Sequence, residues 1–532
     1  MASSTYQALD KAWRSTCRVL FGEEVGGLAP FAEWLREYDY ATRSEHSSLS
    51  GKPIAITMDD YSPKARFLSF DEVDFGKKFS PIPLDDLKDI DSLVQAAQER
   101  MAYTGNVVLG NSSCVEASTG VLDSHYVLCS EMVSKSKYGA YSRWEEETEY
   151  CFGGNGSTLG RFFVKSSGSN LTRCFECHMA NDLSDCYFCA KTINARECMF
   201  CFGVENKSHC MGNTQLPREK YAAIKKKLLS EIAEKLRRDK RIFSLLKIVE
   251  MSSKYPPNEL GIRFKPAKPR PFTFKPISDA FAATTSLLLG KKLSMQDCSG
   301  FLQKHVPDNP TIKSCLTGAD VTIGGYRSNL LKLYRLNGRM ATEDEIREIG
   351  RHGIGEANVE RLAIDEGILT GLLRPIAYFN LEKDVGKISN VAKSAVVINA
   401  TDGYEISAHI QAKKCAYCFW TLNDEAVFGS YMTHNSSFCI NTYNSQRLAR
   451  CFECDSCESC ADIYFSHNCE NVRDSMFCFN AKNLAHAIGN AQLPPEQYKR
   501  VKASLVSQVA DELEKKHDLK WDIFSIGAAH KK

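Results

Sequence analysis

The sequence predicts an α+β fold built by tandem duplication, in which each half is a parallel β-solenoid of 12-residue rungs with helical caps. Three observations support this prediction. One half of the chain aligns with the other, a short period runs inside each half, and amphipathic helical patterns flank the periodic segments.

The duplication is clearest in a cysteine-rich run. RCFECHMANDLSDCYFCAKTINARECMFC (173–201) aligns without a gap with RCFECDSCESCADIYFSHNCENVRDSMFC (450–478), at an offset of 277. Upstream, GAYSRW (139–144) matches CAYCFW (415–420) at an offset of 276. The helix-like tails that follow both cysteine runs also match, so the chain contains two homologous halves.

A column of Cys or aromatic residues recurs every 12 positions from Cys114 onwards, and Ser or Thr commonly stands two places before it. Short apolar quartets separated by Ser, Asn, Asp and Gly are typical of short strands joined by turns. We therefore predict one solenoid over 105–214 and a second over 390–491. The second has one extra residue between Phe438 and Cys451.

Amphipathic patterns before and after each periodic segment predict helices that cap the exposed solenoid ends. The stretch KYPPNELGIRFKPAKPRPFTFKP is rich in Pro and Lys, which predicts an extended linker. The predicted order is an N-terminal helical cap and lead-in (1–104), solenoid 1 (105–214), a capping helix (215–253), the linker (254–277), a second helical cap segment (278–389), solenoid 2 (390–491), and a C-terminal capping helix and tail (492–532).

Composition limits the functional classes. The chain is 43% hydrophobic and 25% charged, with a net charge of only +2, so no global field attracts it to nucleic acid. The N-terminus shows no signal-peptide pattern, and no apolar run approaches the length of a membrane span. With 22 cysteines in such a chain, we expect a cytoplasmic protein with reduced thiols and no membrane partner.

Paired Cys-x-x-Cys spacings are typical of zinc sites and iron–sulfur clusters. CFECDSCESC (451–460) approaches the bacterial ferredoxin run, but its last spacer has two residues and no proline follows. Zinc is therefore expected ahead of an iron–sulfur cluster. The candidate ligands are Cys174, Cys177, Cys201, Cys451, Cys454, Cys457, Cys460 and Cys478.

A column of packed thiols is the alternative to a metal site. In an extended quartet, residues three apart are separated by about 10 Å, so Cys174 and Cys177 chelate one ion only if the chain turns sharply between them. Replacement of Cys186 by Ile463 in the second half suits packing better than ligation. If the thiols only pack, we expect Cys→Ser to destabilise more than Cys→Ala, because it buries a hydroxyl that lacks a partner.

The cysteine rungs, followed by MFCFGVENKSHCMGN (199–213), LPREKY (216–221) and a Lys-rich amphipathic helix, resemble a family of uncharacterised cysteine-rich repeat proteins. Members occur in many archaeal and uncultured bacterial genomes and are often labelled zinc-binding. The segment 51–79 is similar to their pre-repeat region. The resemblance implies a solenoid and brings no established activity or catalytic residues.

No H-E-x-x-H, phosphate-binding loop or G-x-S-x-G motif is present in the sequence. We therefore expect a non-catalytic structural or interaction protein whose solenoid faces bind another protein or a macromolecular assembly. The duplication makes a pseudo-dimer within one chain, which can itself associate. A weaker alternative is nucleic-acid association, because RHGIGEANVERL (351–362) is similar to a helix-hairpin-helix element whose Gly-x-Gly turn offers amides to phosphate.

Overall fold

The computed structural model describes residues 3–38, 44–83, 88–265, 270–325, 336 and 338–528, so residues 266–269 of the predicted linker lie outside the described part, as do sections of the terminal and cap segments. The α-helices in this part are α1 (Ser4–Phe21), α2 (Ala32–Leu35), α3 (Ile90–Ala97), α4 (Arg218–Asp239), α5 (Leu245–Ser252), α6 (Lys275–Leu289), α7 (Ser299–Gln303), α8 (Glu343–Ile349), α9 (Glu356–Val359), α10 (Glu366–Leu373) and α11 (Pro495–Lys516). Among these described helices, none is long and apolar enough to cross a membrane.

The strands of the first half form one long sheet, preceded by four short strands of the lead-in. The lead-in strands are β1 (Glu45–His46), β2 (Pro53–Ile54), β3 (Phe67–Ser69) and β4 (Tyr103–Gly105). The sheet contains β5 (Val108–Leu109), β6 (Ser113–Glu116), β7 (Thr119–Leu122), β8 (His125–Leu128), β9 (Glu131–Ser134), β10 (Lys137–Ala140), β11 (Arg143–Glu146), β12 (Glu149–Phe152), β13 (Asn155–Thr158), β14 (Arg161–Val164), β15 (Gly168–His178), β16 (Ala180–Ser184), β17 (Tyr187–Ala190), β18 (Ile193–Met199), β19 (Ser208–Met211) and β20 (Thr214–Gln215).

The second half repeats this arrangement after a short antiparallel pair. The pair is β21 (Thr311–Lys313) and β22 (Asp320–Thr322). The sheet contains β23 (Lys383–Val385), β24 (Ser389–Ala392), β25 (Val396–Ile398), β26 (Thr401–Ile410), β27 (Lys413–Leu422), β28 (Glu425–Phe428), β29 (Tyr431–His434), β30 (Ser437–Gln446), β31 (Phe452–Asp455), β32 (Ala461–Glu470), β33 (Arg473–Met476), β34 (Phe479–Lys482), β35 (Ala487–Ile488) and β36 (Ala491–Gln492). The α+β class and the division of parallel strands between two halves are confirmed.

Most strands pair in parallel with the strand one turn further along the chain, as in Cys177 opposite Cys189 and Cys198 opposite Cys210. The quartets are not extended throughout, because the chain bends every three residues at a left-handed residue. Glu176 has φ 53°, and the same conformation recurs at Met179, Asp182 and further along both sheets. Every third side chain therefore points to the same interior, which leaves room only for small side chains in most places.

The structure corrects the predicted register. Phe163, not Phe162, lies opposite Cys174, so this turn of the chain is one residue shorter than its neighbours. The upstream aromatic residues of the predicted column therefore point away from the interior. On the outer surface, Tyr126 and Tyr138 stack with ring centroids 5.0 Å apart. The short turn also explains the two alignment offsets of 276 and 277.

The second half has no extra residue, contrary to the prediction, which rested on the same incorrect register. Val427 lies opposite Cys439, and Ile440 lies opposite Phe452, so neither step contains an extra residue. Phe438 has φ 55° and is an outward residue like the upstream tyrosines.

Helices α1 and α6 occupy equivalent places and lie along the sides of the sheets. In α1, Trp13 packs edge-on against Phe152, with ring centroids 5.3 Å apart. In α6, Phe281 packs against Phe428 at 5.2 Å. The prediction that these helices cap the sheet ends is therefore wrong: they cover an apolar outer column that runs the length of each sheet.

The segment that precedes each sheet packs against the other half of the chain. Residues 44–83 and 88–105 join the hydrophobic core of the second half, where Tyr103 packs on Phe479 at 5.5 Å and the Thr104 N–H donates to His467 Nε2 at 2.8 Å. Reciprocally, residues 338–381 join the core of the first half, and the Ile354 N–H donates to the Gly212 carbonyl at 3.0 Å. This exchange holds the two halves against each other.

Candidate functional site

All eight candidate ligand cysteines are buried free thiols. Cys174, Cys177 and Cys201 belong to one interior cluster. The other five belong to the equivalent cluster of the second half. The structure therefore brings each set together within its own half and keeps the two sets apart.

Local hydrogen bonding explains why the interior uses Cys. The Cys177 thiol donates to the carbonyl of Phe175, two residues earlier, at 3.6 Å. Ser130, at an equivalent interior position, makes the same bond to Leu128 at 2.9 Å. Ser and Cys are thus alternative small donors that satisfy a carbonyl at each bend of the chain.

Thiols three residues apart approach each other, contrary to the expected separation of about 10 Å. The bend at Glu176 turns Cys174 and Cys177 onto adjacent sides of the interior, and their thiols interact. The pKa of Cys177 is raised well above its ordinary value, mainly by burial and secondly by this contact with Cys174. Burial also raises the pKa of Cys478, to about 12. Such protonated interior thiols are poor nucleophiles.

One turn of the second half has Cys at all four interior positions: Cys451, Cys454, Cys457 and Cys460. Burial alone would raise every pKa in this four-cysteine turn, and it does so for Cys454 and Cys460. For Cys457, the neighbouring thiols of Cys454 and Cys469 outweigh burial and lower the pKa. The sulfur atoms of this turn therefore influence each other's titration.

The four-cysteine turn does not have the geometry of a closed zinc site. Each thiol donates to the carbonyl two residues earlier, over 3.2 Å for Cys460 and 3.4 Å for Cys451. Carbonyl oxygens therefore occupy the neighbourhood of the sulfur atoms. Within the described residues, no group of three or more His, Cys, Asp or Glu side chains is arranged to hold a metal ion.

A second candidate site, which the sequence did not predict, lies between the halves. A cleft of about 460 Å³ is lined by strand ends from both sheets and by Thr57, Phe70 and Thr104 of the exchanged lead-in. We call it the inter-half cleft. Its volume is typical of ligand sites, which commonly occupy several hundred cubic ångströms.

The walls of the inter-half cleft are columns of outward side chains at 12-residue spacing. The first half contributes a wall whose successive strands are in register: Leu122, Ser134, Glu146 and Thr158. The second half contributes a longer wall: Leu422, His434, Gln446, Glu458, Glu470 and Lys482. Neighbouring rows of such a parallel ladder are about 4.8 Å apart, so each wall offers a regular series of side chains.

Aromatic residues and methionines line one part of the cleft. Trp144 and Trp420 come from the matching segments GAYSRW and CAYCFW, and both line the cleft together with Met132 and Met432. Trp144 packs against Phe419 with ring centroids 5.4 Å apart. The repeated tryptophan was the signal in the sequence that could have indicated this site.

The same region contains polar groups with unmet hydrogen-bonding capacity. His434 Nε2 and Trp420 Nε1 have no hydrogen-bond partner among the described residues. The two rings pack edge-on, with centroids 6.2 Å apart. Burial lowers the pKa of His434 to about 4, so this imidazole is neutral at physiological pH.

The helix-hairpin-helix-like turn lies at the end of the first sheet, with Ile354 buried and Gly353 and Gly355 exposed. The Gly355 N–H donates to Thr214 Oγ1 at 2.9 Å, and the Ile354 N–H donates to Gly212. Two amides of the turn are therefore engaged at the end of the first sheet. They are not available to a phosphate in this arrangement.

Comparison with protein-family models, curated proteins and solved structures finds no match to this chain.

Proposed function

We propose that the chain is a non-catalytic interaction protein in which two parallel β-solenoids, each built of short repeating rungs, hold a partner in the inter-half cleft. The observation that carries this proposal is the cleft itself. It has two ladder walls, one tryptophan from each half, and the His434 and Trp420 nitrogen atoms without hydrogen-bond partners among the described residues. A partner that supplies hydrogen bonds there would relieve the cost of burying those atoms alone.

Outward columns away from the cleft also carry ion pairs between neighbouring rows. Arg173 forms two hydrogen bonds of 2.6 Å with Asp185, one row away. Arg450 does the same with Asp462 in the second half. Such self-paired columns favour solubility of the outer faces.

The expected partner is another protein or a macromolecular assembly that inserts a segment into the cleft, or a small molecule. Cytoplasmic location, self-association and the likeness to cysteine-rich repeat proteins are parts of the same proposal. The reciprocal exchange of segments supports the pseudo-dimer, because each half completes its core with residues of the other.

A blocking substitution tests the proposal. Ser134 lines the cleft and Ser184 is an outward serine of a neighbouring sheet region away from it. We expect Ser134→Trp to abolish capture of the partner that the native protein retains, and Ser184→Trp to leave capture unchanged. Equal capture by both variants, or turnover of a captured small molecule, would contradict the proposal.

Metal binding is the alternative proposal, with zinc ahead of an iron–sulfur cluster. It is supported by the four adjacent thiols of the four-cysteine turn, one of which, Cys457, has a lowered pKa. Binding would require the thiols to leave their carbonyl acceptors. Elemental analysis of protein purified without oxygen is the test, and near-stoichiometric zinc or iron would favour this alternative.

Nucleic-acid association is the weakest proposal, because the amides that suggested it are engaged within the chain. If the native protein binds DNA, and Gly355→Pro abolishes this binding while Ser134→Trp does not, nucleic-acid association would be supported.

A further inference from the structure

We propose that the inter-half cleft binds a small organic cation with an apolar body, such as an alkylated or aromatic ammonium. This inference rests on the proposed binding role of the cleft and names the ligand class that fits its walls.

The apolar part of the cleft suits a cation that carries hydrocarbon. Trp420 supplies an aromatic ring, and Met132 and Met432 supply flexible, polarizable side chains. Trp144 also lines the cleft, but the Arg143 guanidinium already lies 5.0 Å from its ring centroid. Aromatic faces attract organic cations through the ring quadrupole, and tryptophan does so most strongly. An alkylated ammonium is weakly hydrated, so it loses little on entering such a site.

The charges of the cleft have the sign that a cation requires. Glu146, Glu458 and Glu470 line it, whereas Lys482 is the one ammonium or guanidinium group among the described lining residues. Lys482 is neutralised by Glu470, with Nζ and Oε2 2.6 Å apart. Because the His434 imidazole is neutral, it adds no positive charge.

Glu146 carries the negative charge of the cleft that no ion pair of the described residues offsets, because the two carboxylates of the second wall are paired. Glu458 and Glu470 occupy neighbouring rows of the second wall, about 4.8 Å apart. Arg447 pairs with Glu458, and Lys482 pairs with Glu470, which offsets the repulsion between them. Exposed Glu146 faces the cleft from the opposite wall and adds a further carboxylate. An anionic ligand would meet these carboxylates, and among the described lining residues no unpaired ammonium or guanidinium would hold it.

Three probes of similar size and different charge test the inference on the full chain at pH 7.5. Phenyltrimethylammonium is the cation, N,N-dimethylaniline is its nearly isosteric neutral counterpart, and benzenesulfonate is the anion. Binding is measured by calorimetry and by quenching of tryptophan fluorescence. We expect saturable binding of the cation, about tenfold tighter than that of the neutral probe, and weakened by salt.

Matched variants locate the site. Glu146→Gln removes a carboxylate of the cleft, and Glu147→Gln removes the adjacent exposed carboxylate, which pairs with Lys135 and does not line the cleft. We expect the first variant to weaken cation binding several-fold without altering binding of the neutral probe, and the second to change neither. Ser134→Trp should abolish binding of both probes.

The outcomes separate this inference from the proposed function. Binding of dimethylaniline as tight as that of the cation, or preferential binding of benzenesulfonate, would overturn the cation inference and leave the cleft as a binding site. Cation binding that survives Ser134→Trp would also overturn it, because the cation would then lie elsewhere. If no probe binds, the inference fails, and capture by the Ser134→Trp and Ser184→Trp proteins decides the proposed function independently.

Discussion

The contacts of Cys177 give the sharpest prediction about the interior. They predict that Cys177→Ala destabilises more than Cys177→Ser, which is the opposite of the order expected from the sequence. The thiol is fully buried and donates to the carbonyls of Phe175 and Cys186 at 3.6 and 3.4 Å. Ser166, one turn earlier in the same column, donates to Val164 at 3.1 Å. A serine at position 177 therefore has an acceptor ready at the distance a hydroxyl uses.

The magnitudes follow from these contacts. Cys177→Ser keeps the donor and loses only some van der Waals contact, so we expect a loss of at most about 1 kcal/mol in the free energy of unfolding. Cys177→Ala removes the donor and leaves a cavity of about one sulfur atom, so we expect a loss of about 1–2 kcal/mol. Alanine should thus be the more destabilising substitution, contrary to the expectation that a buried hydroxyl would lack a partner.

Thermal and denaturant unfolding of the two variants, each with and without a chelator, measure this order. A chelator should change neither melt. If serine destabilises more than alanine, the hydroxyl does not reach the carbonyl and the inferred equivalence of Ser and Cys is refuted. If a chelator lowers the melting temperature of the native protein, the interior thiols hold a metal.

Two further predictions concern buried charge. Glu176→Ala should cost about 3 kcal/mol, because the buried carboxylate accepts hydrogen bonds from Tyr38 and the Leu245 N–H and lies 3.5 Å from Lys165, which keeps its ion pair with Glu37. Glu176→Gln should cost less, and equal unfolding midpoints for the two variants would contradict this. Burial alone would lower the pKa of His305, but its hydrogen bonds to Asp522 and Asp60 raise it to about 9. Protonated His305 therefore stabilises the fold fully below pH 6.5, and we expect up to about 3 kcal/mol to be lost as the pH rises through 9. Urea unfolding from pH 6 to 10 tests this, since His305→Gln should flatten the profile; an unchanged profile would refute it.

The repeated RCFEC motif shows what a duplication can indicate and what it leaves open. In the first half, the Leu245 N–H donates to Glu176 Oε2 at 3.2 Å. In the second half, the Ile523 N–H donates to Glu453 Oε2 at 2.8 Å. The motif was matched in the sequence because of its cysteines. Its glutamate accepts a backbone hydrogen bond from the segment that follows the long helix in each half. Only the contacts of the folded protein show this role.

The sequence by itself determined the duplication, the period near 12 and the presence of α1, α4, α6 and α11, because local spacing and helix amphipathicity encode them. It did not determine which side chains face inward. A period of 12 is satisfied equally by Phe162 and by Phe163, and the bend that selects Phe163 depends on hydrogen bonds between successive turns. A count of residues contains no such information.

The inter-half cleft was decided only by tertiary structure. Trp144 and Trp420 are 276 positions apart, and their shared cleft exists because residues 44–83, 88–105 and 338–381 pack on opposite halves. Sequence spacing records neither this exchange nor the cavity between the walls. The physical reason is that burial of apolar surface is non-directional, so the pattern shows that a face is covered but does not show which segment covers it.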